Sequence, residues 1–156
     1  MDAILLLQSK FQKVSEKWVA AQNIHLTLCF IGCVDESELK CIGETAEKLN
    51  GEKIHLILDV IGDFEKANIL WLGLSGTSIP LNDLNRSLSV KLKSCGLKHN
   101  SLKFRPHITL AKKVNNNILK PKFEAIDWCS DFFYLMESVQ VPHGVEYKVL
   151  KQYSLS

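Results

Sequence analysis

Long apolar runs are missing from this chain. No stretch approaches the roughly 20 consecutive apolar residues that span a bilayer. An excess of one charge sign is missing too: 19 basic and 17 acidic side chains leave a net charge of +2. That excludes the whole-molecule basic field with which a protein grips duplex DNA through many phosphates, while leaving room for a local basic pocket. Paired CxxC elements are absent, which argues against a structural zinc site. The five cysteines are odd in number and irregular in spacing, which argues against a disulfide framework and for a reducing compartment. The opening MDAILLLQSKF has Asp2 where a signal peptide carries basic residues, and its apolar run ends at Leu7. A soluble, cytoplasmic protein is expected.

What is present is a globular composition: 46% hydrophobic and 23% charged over 156 residues, enough to bury a substantial core. Residues 1–156 are read as one domain, made of two lobes. Ile4, Leu7, Phe11, Val14 and Trp18 recur at three- and four-residue intervals with Gln8, Lys10, Lys13, Glu16 and Lys17 between them, which predicts an amphipathic helix over 3–18. Residues 23–31 read as an extended run ended by Gly32. Asp35 with Glu38 makes a capping-box pattern ahead of the stripe Leu39, Ile42, Ala46 and Leu49, and Asn50-Gly51 supplies a stop. Strands at 54–61 and 69–74 suggest a hairpin across Gly62-Asp63 and a short polar stretch. Leu81, Leu84, Leu88, Leu92 and Cys95 form a third helix that Gly96 can close. FRPHITLA at 104–111 is a strand and Asn115-Asn116-Asn117 a loop. Closing strands at 132–141 and 145–150 surround the turn Pro142-His143-Gly144. This order is α+β. An amphipathic helix precedes each of two similar strands, at 3–18 and again at 81–95, as in a duplicated half.

Those strands are HLTLCF at 25–30 and HITLA at 107–111. Alternation points His25 and Thr27 one way and Leu26, Leu28 and Phe30 the other; His107 and Thr109 share a face opposite Ile108 and Leu110. Unpartnered burial of an imidazole and a hydroxyl is costly, so the polar faces are expected to meet water, each other or a ligand in a cleft between lobes. Two facing imidazoles suit general acid–base chemistry. One takes a proton from the attacking group and the other gives one to the leaving group, which predicts a bell-shaped rate profile around neutral pH. A threonine two residues along can donate its hydroxyl to a non-bridging phosphate oxygen. Pro106 suits the start of a strand and holds Arg105 extended. Alternation puts Arg105 on the His107 face, where it either meets a phosphate or ends in solvent. Lys112 has the opposite parity and reaches that face only if the strand ends or twists. His55, His99 and His143 read as structural or surface residues. Trp18 belongs to its helix stripe. Trp71 and Phe30 read as core, with base stacking as the alternative. Cys95 with His99 lacks the further ligands a metal needs.

HLTLCFIG at 25–32, FRPHITLAK at 104–112 and the ending GVEYKVLKQYSL resemble the 2H phosphoesterases, a group marked by two His-x-Thr/Ser-x motifs. Within that group the chain is similar to the RNA 2′,3′-cyclic phosphodiesterases, also described as 2′-5′ RNA ligase-like proteins. The resemblance implies a bilobal α+β fold, with two antiparallel sheets flanking a central cleft and helices outside, and catalysis without a metal or other cofactor. It implies a substrate, an RNA end or cyclic nucleotide, whose 2′,3′-cyclic phosphate is opened to a 2′-phosphomonoester; the chain is expected to act as a monomer. By the same resemblance His107 is the base that activates water and His25 the acid that protonates the departing 3′-oxygen. Thr27 and Thr109 hold phosphate oxygens, with Arg105 and Lys112 as further candidate phosphate contacts. Family members usually begin with a strand ahead of the first helix, so one sheet is expected to lack a strand here. Arginine is also common where this chain has Lys112, which keeps the charge without the bidentate fork. Two alternatives stay open: 2′-5′ ligation by the same site, and a non-catalytic RNA or nucleotide binder, against which the four motif residues argue.

Overall fold

The computed structural model describes residues 1–11, 14, 15, 17–97, 104–115, 118–142 and 144–156. His99, His143 and Asn116-Asn117 lie outside them. The elements are α1 (Asp2–Ser9), β1 (Lys17–Trp18), α2 (Glu36–Glu47), β2 (Ile54–Leu58), β3 (Val60–Phe64), β4 (Ile69–Gly73), α3 (Ile79–Lys91), β5 (His107–Lys112), β6 (Ile126–Ser130), β7 (Phe132–Val141) and β8 (Gly144–Ser154). Helices and antiparallel ladders make it α+β. Three sheets, where two were expected, occur among the described residues: β1-β5-β4-β3, β2-β6 and β7-β8. No described helix is long and apolar enough to cross a membrane.

The chain divides into two compact units. The first comprises Met1–Thr27, Leu56–Gly76 and Pro106–Trp128. Its four-stranded sheet has one apolar face, on which Leu70, Leu72, Ile108, Leu110 and Ala111 are completely buried. Burying a leucine or isoleucine side chain in this way stabilises by about 1.5–3 kcal/mol. Ile4 and Leu7 of α1 are buried as well, and Gln8 Nε2 donates to the carbonyls of Leu110 (2.9 Å) and Val19 (3.1 Å), tying the helix to β5. The predicted helix over 3–18 therefore stops at Ser9. Lys17 and Trp18 pair instead with Lys112 and Ala111, and Val19 N–H donates to Leu110 O. Satisfying the open edge of β5 outweighs the helical pattern there. Trp18 is accordingly on a strand, and it keeps its apolar role by packing on Phe11 at 5.7 Å.

The predicted strand 54–61 breaks at Asp59. Its carboxylate accepts from Ser75 N–H (2.7 Å) and Ser75 Oγ (2.5 Å), and its own N–H donates to Gly73 O. Chain before this pivot pairs as β2 with β6, and chain after it forms a hairpin, β3 with β4, in which Gly62 and Asp63 lie inside β3 instead of in the connection expected there. Strand β6 escapes sequence reading because IDWCS is five residues long and its partner is remote in the chain.

The second unit comprises Leu28–His55, Thr77–Arg105 and Cys129–Ser156. Helix α2 starts on the expected capping box: Asp35 Oδ1 accepts from Glu38 N–H, and Glu38 Oε2 accepts from Asp35 N–H. Helix α3 is capped by Ser78, has Pro80 in its first turn, and runs into a 3-10 turn that ends at Gly96, whose φ of 81° suits glycine. Phe133 of β7 stacks on Tyr153 of β8 at 4.9 Å. The cysteine reading needs correction: Cys41 of α2 and Cys95 form a disulfide, while Cys29, Cys33 and Cys129 take part in no disulfide. An odd count excludes complete pairing, not one bridge. The bond also removes Cys95 as the thiolate of a metal site with His99.

Candidate active site

Strand β5 begins at His107, immediately after Pro106, as a residue without an N–H dictates. Its partner β4 sets the faces: Gly73 opposes His107, Leu72 opposes Ile108 and Trp71 opposes Thr109. With Ile108 in the core, His107 and Thr109 project from the opposite, polar face.

The first motif lies against the same strand. The run at 23–31 is not the regular strand expected of it; a 3-10 turn occupies Ala21–Asn23, and beyond it Leu26 makes an isolated antiparallel bridge to Ile108. The HLTL segment is thus an irregular return of the β1 edge. Its apolar side is carried by Leu26 and Leu28, both only half-buried, since Phe30 is 83% exposed rather than core. The bridge has a direct geometric consequence. Antiparallel pairing about Leu26–Ile108 brings His25 opposite Thr109 and Thr27 opposite His107, all on the polar face. Directly opposed residues have Cβ atoms about 4.5–5.5 Å apart and diagonal ones about 7–8 Å. The two histidines are the diagonal pair.

Each imidazole has its own support. His25 Nδ1 lies 2.7 Å from Asn23 O. A carbonyl only accepts, so Nδ1 carries the hydrogen and Nε2 is the nitrogen left for proton transfer. His107 meets the Phe64 ring edge-on, with centroids 5.1 Å apart at 88°, and the Trp71 ring at 6.4 Å and 63°. Trp71 is therefore half-buried on the polar face and not part of the core. Asn23, Phe64 and Trp71 were not foreseen as partners of the histidines; a glycine at 62 inside a strand is the one local signal that something lies close above the sheet.

The flanking cations separate. Arg105 is exposed and precedes the strand. Lys112 is exposed at the strand's end, and a β-bulge changes its side. Between Trp71–Thr109 and Leu70–Ala111 strand β5 holds one residue more than β4, so alternation resets and Ala111 turns to the core beside Ile108. Lys112 then opposes Ile69, which shares the face of Trp71. The opposite parity expected for Lys112 is thereby corrected: it projects on the His107 and Thr109 face. His55 of β2 is exposed. Among the described residues no group of three or more His, Cys, Asp or Glu side chains is arranged to hold a metal ion.

The 2′-5′ RNA ligase superfamily matches residues 7–137. The RNA 2′,3′-cyclic phosphodiesterase of Methanocaldococcus jannaschii is 27% identical, over 97% of this chain and 92% of the relative. The enzyme of that name from Thermotoga maritima is 31% identical, over 85% of this chain and 76% of the relative. Among solved structures, Escherichia coli LigT complexed with 3′-AMP superposes with a TM-score of 0.91 at 26% identity, covering 99% of this chain and 90% of that one. The chain belongs to the 2′-5′ RNA ligase superfamily, the group its two His-x-Thr motifs resemble.

Proposed function

We propose that this protein is an RNA 2′,3′-cyclic phosphodiesterase, a hydrolase that opens the cyclic phosphate at an RNA end, or in a cyclic nucleotide, to a 2′-phosphomonoester. His107 takes a proton from water, whose oxygen attacks phosphorus. The P–O3′ bond breaks as His25 delivers its Nε2 proton to the departing 3′-oxygen. Thr27 and Thr109 donate hydroxyl hydrogens to the non-bridging oxygens, and Lys112 balances their charge. Arg105 is the second candidate cation for the phosphate.

The observation that carries this reading is the antiparallel bridge Leu26–Ile108, from which the shared face of both histidines and both threonines follows. Support for His25 as the acid comes from its Nδ1–H bond to Asn23 O, which fixes the ring's orientation and leaves Nε2 as the nitrogen that transfers the proton. Support for Lys112 comes from the bulge in β5. We place the enzyme in the cytoplasm, acting as a monomer. The test is incubation of a 2′,3′-cyclic phosphate oligonucleotide with wild type and His107→Ala. A 2′-phosphate product lost in the variant supports hydrolysis, whereas equal inactivity of the two proteins makes this a binding module.

A further inference from the structure

Three local irregularities meet at Trp71. Its indole lies flat across the polar face of the sheet. A Cβ at Gly62, directly opposite Trp71 on β3, would sit 1.9 Å from Trp71 Cζ2, and one at Gly73 would sit 2.8 Å from Cζ3. Only a bed of two glycines accepts the ring in this pose, yet glycine inside a strand is destabilising relative to alanine. The indole Nε1–H, moreover, is buried with no hydrogen-bond partner among the described residues, and native proteins rarely leave such a donor unsatisfied. Sequence positions that break several local rules together are where function is expected to be the reason.

What the arrangement achieves is visible one strand away. The flat indole supports Phe64 (5.5 Å, 33°), and both rings bear on the imidazole of His107. An upright tryptophan would crowd the space above Thr109, which it opposes in register; laid down, it walls one side of His107 and leaves Thr109 open. We propose that Trp71, seated on Gly62 and Gly73, is a positioning residue that holds the His107 imidazole, with Phe64, in the orientation proton transfer needs. This rests on the reading of His107 as the general base, and it assigns Trp71 no contact with the reacting atoms.

The test uses Gly62→Ala, whose methyl displaces the indole, and Trp71→Leu, which removes the ring and keeps the bed. Two readouts are taken: His107 ring-proton chemical shifts by NMR, which sense the neighbouring rings without any turnover, and kcat and KM on a 2′,3′-cyclic nucleotide. In both variants the His107 ring protons shift while those of His25 hold, and kcat falls roughly 10- to 100-fold with KM changed little, the expected loss for a catalytic group misplaced by about 1 Å. Trp71→Phe, which restores a flat ring, recovers part of that loss. His107 protons that stay in place in Gly62→Ala, or that move with no change in kcat, overturn the proposal. Should wild type itself turn over no cyclic phosphate, the hydrolase reading fails, and the ring-proton shifts alone decide whether Trp71 positions His107.

Discussion

Thr109 and Lys112 differ by three positions on one strand, and without the bulge they would point to opposite sides. With it, both project from the same face, and the phosphate contacts proposed for them can be separated by substitution. Thr109→Val keeps the shape and deletes the hydroxyl. Loss of one donor to a developing oxyanion costs roughly 10²–10³ in kcat, whereas Thr109→Ser, which keeps the donor, stays within about tenfold of wild type on the same ground. If Lys112 contacts the phosphate as proposed, Lys112→Met removes a charge-assisted contact of about 1.5–3 kcal/mol, so KM for a cyclic nucleotide rises about 10-fold or more. Steady-state kinetics on the three variants check both statements, and an unchanged KM in Lys112→Met would separate Lys112 from the phosphate. The histidines and threonines are legible in the sequence because His-x-Thr occurs twice with an apolar residue between the polar ones. The side of Lys112 is not legible, because a bulge is a property of two strands in register and no single segment records it.

At the scale of elements, three features set stability outside the site. The α2 N-cap Asp35 has its carboxyl held below the ordinary carboxylate range, first by Glu38 N–H and then by the Ser37 hydroxyl. Asp59 is lowered first by the Ser75 hydroxyl and then by Ser75 N–H. For a carboxyl with a depressed folded pKa the stabilisation is present above the unfolded value, about 3.9, and is lost as pH falls through the folded one. The urea midpoint should therefore hold at neutral pH and decline below about pH 4, and the double variant Asp35→Asn, Asp59→Asn should decline less over that window. The disulfide Cys41–Cys95 spans 54 positions. Chain-entropy arguments for a loop of that size give about 4 kcal/mol, so Cys41→Ser should lower the urea midpoint, and a reductant should lower wild type and leave the variant unmoved. Legibility at this scale follows locality. The α2 capping box and the α3 stripe are decided within a few residues and can be read directly. Strand β1, the irregular first motif and β6 are decided by remote partners, and the helical pattern around Trp18 yields to the sheet edge for that reason.

For the whole molecule, a net charge of +2 limits how strongly an RNA tail can be gripped through its phosphates. With one or two phosphates neutralised, the slope of log binding constant against log salt for a single strand is about −0.7 to −1.4. Raising salt from about 50 to 200 mM should then weaken oligonucleotide binding only about 3- to 7-fold; a loss of several hundredfold would reveal an extended basic track. Recognition on this account is concentrated at the chain end, on one face of one sheet, where both His-x-Thr segments lie within the first unit. The most direct measurement of that claim is phosphorus NMR of an oligonucleotide ending in a 2′,3′-cyclic phosphate, incubated with a chelator and wild type, His25→Ala or His107→Ala. The account predicts a 2′-phosphomonoester from wild type and a loss of about 10² or more in each variant; a 3′-phosphomonoester, or variants as fast as wild type, would contradict it.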